Sequence, residues 1–491
     1  MSRKLSYPET YSDNDSVFLF QGFNGRLVFA IAAAALGSSF QHGYNTGVVN
    51  APQKLIEDWI TMVEYNRTGE EVTQTKVTMI WSIAVSIFCV GGMIGGAITG
   101  LVAERFGRKG GLLLNNVLVV LASIFQGASK AANSFEMIII GRFFIGINSG
   151  LNAGLAPMYL AEISPVHLRG AVGTVYQLVI TISILISQIL GLESILGTAD
   201  SWPTLLAITI VPAIFQIFTL PLCPESPKYL LLSKGQEMEA QKALTWLRGT
   251  IEVHDEMDDM RTEYESMKLV PKVTLKDMFV NATLRIPLLI AMMIMIAQQL
   301  SGINAVMFFS TKIFMMAQLD DKNAQYATLG MGAVNVFMTL VSMVVVEKAG
   351  RKTLLLIGFS GMCITTILLT ICLAYVSSAL WISYVSILLV ILFVVMFAVG
   401  PGSIPWFLVS ELFNQSARGA ATSLAVAINW TANFIVGIGF LPLQEALGGN
   451  VFIIFTILLA LFVLFVYKKV PETKNKTIEE ISSMFRQISY Q

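Results

Sequence analysis

Glu104-Arg105-Phe106-Gly107-Arg108-Lys109 recurs 243 residues later as Glu347-Lys348-Ala349-Gly350-Arg351-Lys352. Two further pairs follow in the same order. Glu162 with Arg169-Gly170-Ala171 returns as Glu411 with Arg418-Gly419-Ala420 at an offset of 249, and Pro224-Glu225-Ser226 returns as Pro471-Glu472-Thr473 at an offset of 247. Three ordered pairs at nearly one offset make residues 1–225 and 285–475 related halves of one chain.

The residues around these motifs are apolar. Hydrophobic residues are 55% of the 491 and charged residues only 13%, against roughly 25% charged in a soluble domain. So few charges cannot cover a water-facing globule of this size, which excludes an ordinary soluble enzyme. Lys and Arg number 32, as do Asp and Glu, so there is no basic excess to track a phosphate backbone, and nucleic acid is excluded as a partner. Cys89, Cys223, Cys363 and Cys372 fall in or beside apolar runs without metal-like spacing and read as small core hydrophobes. No nucleophile, metal cluster or phosphate loop stands out, so neither catalysis nor a metal or cofactor is expected.

A bilayer core about 30 Å thick needs about 20 apolar residues per helical span. Such runs occur at 27–50, 79–103, 110–130, 135–160, 170–195 and 203–223, and again at 287–311, 325–346, 352–375, 380–410, 416–441 and 449–468. Between the two sets, 20 of the 61 residues from Glu225 to Arg285 are charged. The reading is an all-α membrane protein with twelve transmembrane helices in two six-helix halves: an N-terminal segment 1–26, a half at 27–224, a helical linker domain at 225–286, a half at 287–468 and a tail at 469–491.

The first 25 residues lack the apolar run and cleavage site of a signal peptide, so the N-terminus is expected to stay uncleaved and cytoplasmic. On that orientation only Lys54, Arg67, Lys76, Lys130, Lys312 and Lys322 face outward, Arg142 lies within a span, and the other 25 of 32 basic residues are cytoplasmic, as the retention of positive charge inside requires. The C-terminus is then cytoplasmic too. The first outer loop carries Asn66-Arg67-Thr68, an N-glycosylation sequon. Those at Asn281, Asn414, Asn429 and Asn475 fall inside the cell or membrane and are expected to be silent.

Parallel six-span repeats are the build of the major-facilitator transporters, whose substrate lies between the halves near the bilayer midplane. The Gly-Arg-Lys loops, Pro224-Glu-Ser-Pro227, Gln298-Gln-Leu-Ser-Gly-Ile-Asn304, Gly400-Pro-Gly-Ser-Ile-Pro-Trp406 and Pro471-Glu-Thr-Lys474 together resemble the sugar-porter family. The Gln41–Gln53 run and Gln298–Val306 are most similar to the class I facilitative glucose transporters of animals. The resemblance covers essentially the whole chain and implies a plasma-membrane hexose carrier, with a monomer as the expected functional unit.

A hexose is uncharged and rich in hydroxyls, so its site needs amides that donate and accept, plus an aromatic face. Gln298, Gln299 and Asn304 lie together on helix 7, and Gln177, Asn335 and Asn429 near the middle of helices 5, 8 and 11. Taken singly, such amides join helices to one another; as a set they match the sugar-binding amides of the family. The resemblance adds Trp406, in the Gly/Pro-broken helix 10, as the ring under the sugar, with Phe397 and Trp430 nearby. It departs from the family at Ala398, where a Glu is usual, and at Phe308-Phe309, where Tyr-Tyr is usual. The charges Glu104, Arg108, Lys109, Glu162, Arg169, Glu347, Arg351, Lys352, Glu411 and Arg418 imply an inner network tying the halves together when the site opens outward.

The expected function is facilitative hexose transport, with glucose as the main substrate, by alternating access. The alternatives are a proton-coupled symporter of the same fold and a non-transporting sugar receptor. Symporters of the family commonly carry Asp in the helix 1 motif where this chain has Asn45, and an amide cannot carry a proton in transport. His42 is the one histidine in a span, and no proton role is expected of it. The chain ends 17 residues after Lys474, short for a receptor tail. Met295-Ile296-Ala297 replaces the Gln-Leu-Ser of glucose-selective relatives and, with Ala398, leads to an expectation that fructose is also accepted.

Overall fold

The computed structural model describes residues 23–269 and 273–491. Residues 1–22 and 270–272, and the side chains of Phe308, Phe309, Thr311, Lys312, Asp321, Leu441 and Glu445, lie outside the described set. Asn24 starts the first span as an N-cap, its side chain accepting from the N–H groups of Arg26 and Leu27. Helix α1 (Gly25–Ala34) passes through a π turn (Ala35–Ser39) into α2 (Phe40–Gly47). Gln216 fills the opening of that turn, donating to Ser38 Oγ at 2.8 Å and to the carbonyls of Ala33 and Ala34. A π turn leaves backbone carbonyls off the regular ladder, and this amide satisfies two of them.

A short helix α3 (Gln53–Thr68) follows and carries an exposed Asn66. Spans two and three form one run, α4 (Gln74–Ala128), interrupted at Gly107. Then come α5 (Glu136–Ile163), α6 (Arg169–Leu190), and α7 (Trp202–Ala207) with α8 (Ile210–Thr219). The linker consists of α9 (Glu237–Arg248), α10 (His254–Lys268) and α11 (Leu275–Val280). The second half contains α12 (Ala282–Leu300) and α13 (Ile303–Met316), α14 (Asp321–Ala349), α15 (Arg351–Ala374), α16 (Leu380–Val399) and α17 (Ile404–Leu412), α18 (Gln415–Leu447) and α19 (Val451–Lys469). Helix α20 (Ile478–Ser489) closes the chain with a capping box at Thr477 and Glu480. Among the described residues ten helices are long and apolar enough to cross a membrane; with α4 divided at Gly107 and α1–α2 counted as one rod, twelve rods in two sets of six result.

Large apolar side chains such as Leu101, Phe218, Phe337 and Leu461 remain exposed on the outside of the bundle, a face that only lipid would cover. Between the halves, contact depends on missing side chains. Gly92, Gly96 and Gly100 on α4 meet Trp430, Val426 with Ala427, and Gly419 with Ser423 on α18, so closely that a Cβ at each would come within 3.0 Å of the facing atoms. The Gly100 N–H donates to Ser423 Oγ across this seam. The linker has its own small core of Leu231, Ala240, Leu244, Val253, Met257 and Met260. It is fastened to the first half by Arg248, which donates to the Ile163 carbonyl at 2.7 Å and pairs with Glu256, and to the second half through Gln415 and Ser233.

The repeat is visible in the backbone. Gly107 has φ 78° and ψ 178°, and Gly350 has φ 86° and ψ 178°, a conformation essentially confined to glycine. Each turns the chain so that the next helix begins over a carboxylate. Glu225 accepts from the N–H groups of Arg108 and Lys109, and Glu472 from those of Arg351 and Lys352. These are the unpaired donors of a helix N-terminus, where negative charge is favoured.

Replacing Gly350 by Ala combines a strained backbone with a Cβ 2.3 Å from Glu472 Oε2, and is expected to lower stability by about 1–3 kcal/mol. Thermal unfolding in detergent measures it. Gly330→Ala, at a helical position with nothing within 4 Å of the added carbon, is expected to leave the midpoint unchanged.

Candidate functional site

Two buried carboxylates organise the end of the bundle that carries the linker. Glu162, at the end of α5, receives Arg108 of its own half at 2.9 and 3.0 Å, Arg418 of the other half at 2.8 Å, and the Ser226 hydroxyl. Glu411, at the end of α17, receives Arg351 of its own half at 3.0 and 3.2 Å, Arg169 of the other half at 3.1 Å, and the Thr473 hydroxyl at 2.6 Å. Each acid is thus shared between one arginine that moves with it and one that belongs to the opposite half. Glu347 adds a third crossing by accepting from the Ala171 N–H at 2.9 Å, and lies 3.8 Å from Arg351. Arg169 also donates to the Lys476 carbonyl, so the segment after Thr473 straps the second half to the first.

Of the charges expected here, Glu162, Arg108, Arg169, Arg351, Glu347, Glu411 and Arg418 meet. Lys109 and Lys352 correct the expectation of side-chain pairing. They contribute backbone N–H groups to Glu225 and Glu472, while Lys109 Nζ reaches the Pro221 carbonyl and Lys352 Nζ lies over the Tyr467 ring. Glu104 contributes its carbonyl to the Tyr229 hydroxyl. Burial raises the Glu225 carboxyl above its ordinary value, opposed by the N–H groups of Lys109, Ser226 and Gly110. In the sequence Ser226 and Thr473 are marked only as parts of a repeat, a hydroxyl recurring beside a repeated acid.

Deeper in the bundle, the amides converge. The α12–α13 helix breaks at Gly302, with φ 97°, and the α16–α17 helix breaks at 400–403. Gln298 spans the two by donating to the carbonyls of Pro401 and Gly402, both at 3.0 Å. Asn429 donates to Gln298 Oε1 at 2.9 Å, Gln299 to Asn429 Oδ1 at 3.3 Å, and Asn304 to Gln299 and to Asn433. Met295 lies on the same cluster, with its sulfur 3.4 Å from Asn429 Nδ2. Phe397 packs beneath the second break, against Gly402. Asn335, buried on α14, has no partner for its Oδ1 among the described residues.

Across the midline, Trp406 Nε1 donates to Gln177 Oε1 at 3.1 Å. Trp430 packs edge-on against Phe88 of α4, and its Nε1 is buried without a partner among the described residues. Between the two indoles lies His42 of α2, with ring centroids 5.9 Å from Trp406 and 5.4 Å from Trp430. Its Nδ1 is 2.6 Å from the Tyr176 hydroxyl. The sequence reading missed Tyr176 and Asn433, and gave His42 no place in the site. A polar ring inside a span was the signal for the last. A cavity of about 870 Å³ lies elsewhere, between α4, α18 and the linker.

The family model described as "Sugar (and other) transporter" matches residues 30–485. The chain belongs to the sugar transporter family. A facilitated glucose transporter, member 1 of solute carrier family 2 from Gallus gallus, is 48% identical over 462 residues, covering 94% of each chain. Member 4 of the same carrier family from Mus musculus is 47% identical, covering 95% of this chain and 92% of that protein. Among solved structures, the major-facilitator proton:xylose symporter XylE bound to 6-bromo-6-deoxy-D-glucose aligns with a TM-score of 0.82 at 25% identity, over 94% of this chain and 99% of that one. The inward-open conformation of XylE from E. coli aligns with a TM-score of 0.67 at 26% identity, over 93% of this chain and 99% of that one. The sequence is the same in kind for both, so the drop reflects conformation. This sugar transporter is less similar to the inward-open form of XylE than to the sugar-bound one.

Changing Glu411 to Gln removes the charge shared by Arg169 and Arg351, and breaking one partner of a buried pair costs about 3–5 kcal/mol. Amide hydrogen exchange over residues 163–171 and 411–418 is expected to quicken as the halves part at the linker end. Unchanged protection there would mean that the crossing pairs do not hold the halves closed.

Proposed function

We propose that this sugar transporter is a facilitative hexose uniporter of the plasma membrane, with both termini and the linker cytoplasmic. Glucose is its main substrate, fructose is also accepted, and alternating access about the Gln298 cluster moves the sugar. One observation carries the reading: six amides, Gln177 among them, and two indoles meet where both helix breaks of the second half face the first half. Gln298, Gln299, Asn304 and Asn429 exchange their mutual hydrogen bonds for sugar hydroxyls, Gln177 exchanges its bond to the Trp406 indole, and Asn335 offers its unengaged carbonyl, while Trp406, Trp430 and Phe397 supply the apolar faces. The names of the similar carriers support glucose as substrate and facilitated passage. The shared-carboxylate network is the inner gate, closed in this conformation. Asn66, exposed on α3, carries the glycan.

Uniport rests on Asn45. Its Nδ2 donates to the Gln41 carbonyl and to Thr209 Oγ1, both at 2.7 Å, and the buried Arg142 donates to its carbonyl at 2.9 Å. Among the described residues no carboxylate pairs with Arg142. Among the described residues the buried carboxylates are Glu64, paired with Lys76, and Glu162, Glu347 and Glu411, engaged at the linker end, so none of these is free at the midline to carry a proton through the cycle. The likeness to a proton:xylose symporter favours symport as the second reading. Reconstituted protein is expected to equilibrate labelled glucose without concentrating it; accumulation driven by an imposed pH gradient would establish symport instead.

Gln298→Ala and Asn304→Ala are each expected to weaken glucose binding by about 1–3 kcal/mol, since a buried hydroxyl loses its partner, or roughly 5- to 150-fold in affinity. Equilibrium binding to folded protein measures the change, and unchanged affinity in both would assign the amides to helix packing alone.

Fructose acceptance rests on Met295, which presents a thioether to Asn429 where a polar residue would add a contact capable of separating pyranose from furanose. Excess fructose is expected to inhibit glucose uptake and to enter proteoliposomes itself. Failure of both would refute the apolar-triplet argument.

A further inference from the structure

Apart from Gln177, the amides of the cluster all come from the second half, and the first half faces them mainly with rings. Phe88 is apolar, and the Tyr176 hydroxyl is held by His42 Nδ1 at 2.6 Å. His42 differs from its neighbours in having a second polar atom. Among the described residues its Nε2 has no recorded hydrogen-bond partner, although the ring is 93% buried, being 7% exposed. The imidazole is packed on Trp406 and Trp430 at once. A ligand that enters between those indoles therefore cannot avoid it. We propose that His42 is a specificity-determining residue, its Nε2 forming a hydrogen bond to one hydroxyl of the bound hexose from the first half of the carrier. This deepens the hexose reading and rests on it.

The chemistry suits a hydroxyl in either tautomer. If the Tyr176 O–H donates to Nδ1, the proton sits on Nε2, which then donates; if Nδ1–H donates to Tyr176, Nε2 accepts. A sugar hydroxyl can answer either. The Tyr176 bond fixes the plane of the ring, so Nε2 is held in one direction and can select among hydroxyls by position. The contact also offsets a loss on the opposite wall: Ala398, buried on α16, can form no side-chain hydrogen bond. A polar group removed from one half is thereby matched by one supplied from the other.

The experiment is competition of unlabelled 1-, 2-, 3-, 4- and 6-deoxyglucose against labelled glucose uptake in proteoliposomes. In the unmodified protein, one analogue lacking the hydroxyl that meets Nε2 should be weaker than glucose by roughly 3- to 10-fold. In His42→Phe and His42→Leu, two apolar replacements of different shape, that single penalty should vanish while penalties at other positions persist, and His42→Gln should restore it. A purely structural residue would change all analogues together or none, and either pattern in whichever apolar variants insert into the membrane would overturn the proposal. Absence of glucose uptake by the unmodified protein would instead defeat the hexose reading itself.

Discussion

The sharing of Glu162 and Glu411 between the halves sets the conformation on which everything else depends. An isolated buried carboxylate is costly, and a buried pair is favourable only when geometry and extra hydrogen bonds are good. Here each acid accepts from two arginines and a hydroxyl. When the halves part, Glu162 keeps Arg108 and Ser226, and Glu411 keeps Arg351 and Thr473. Arg418 and Arg169 are released toward water, and Glu347 gives up the Ala171 N–H while keeping Arg351 of its own half nearby. Opening therefore never strands a carboxylate, and the two end states can lie within the few kcal/mol that rapid alternation requires.

The midline site follows the same logic. Unpaired amides in a membrane are costly, so Gln298, Gln299, Asn304 and Asn429 bond one another and the carbonyls freed at the 400–403 break. On the proposed reading, a sugar exchanges hydrogen bonds instead of creating them from nothing, which keeps binding moderate and release possible. The close α4–α18 seam makes the movement feasible. Gly92, Gly96 and Gly100 leave few side chains to interlock, while the Trp430 and His42 rings lie where the two halves meet.

Much of this was legible in the sequence because it is periodic or repeated. The twelve apolar runs match the observed rods, and the Gly107 and Gly350 turns share one backbone conformation as the Gly-Arg-Lys repeat implies. The glutamates and arginines of the linker end were identifiable because each recurs. What was hidden is direction. Lys109 and Lys352 recur as faithfully as their arginine neighbours, yet the helix start turns their side chains away, toward a carbonyl and a tyrosine ring. Asn335 fits the amide pattern by depth, but its Oδ1 has no partner among the described residues. His42 was legible as an anomaly in an apolar span, and its function as a hub of rings depends on Tyr176, Trp406 and Trp430, which lie 134 to 388 residues away in sequence.

The central claim, that crossing ion pairs hold the linker end closed, is tested most directly by pulsed electron–electron spin resonance between labels at Arg105 and Lys348, exposed residues at equivalent positions of the two repeated loops. The account expects one dominant short distance in the unmodified protein, and a second, longer population when Arg169 and Arg418 are both replaced by Ala. A distribution that does not change on removing both arginines would contradict it.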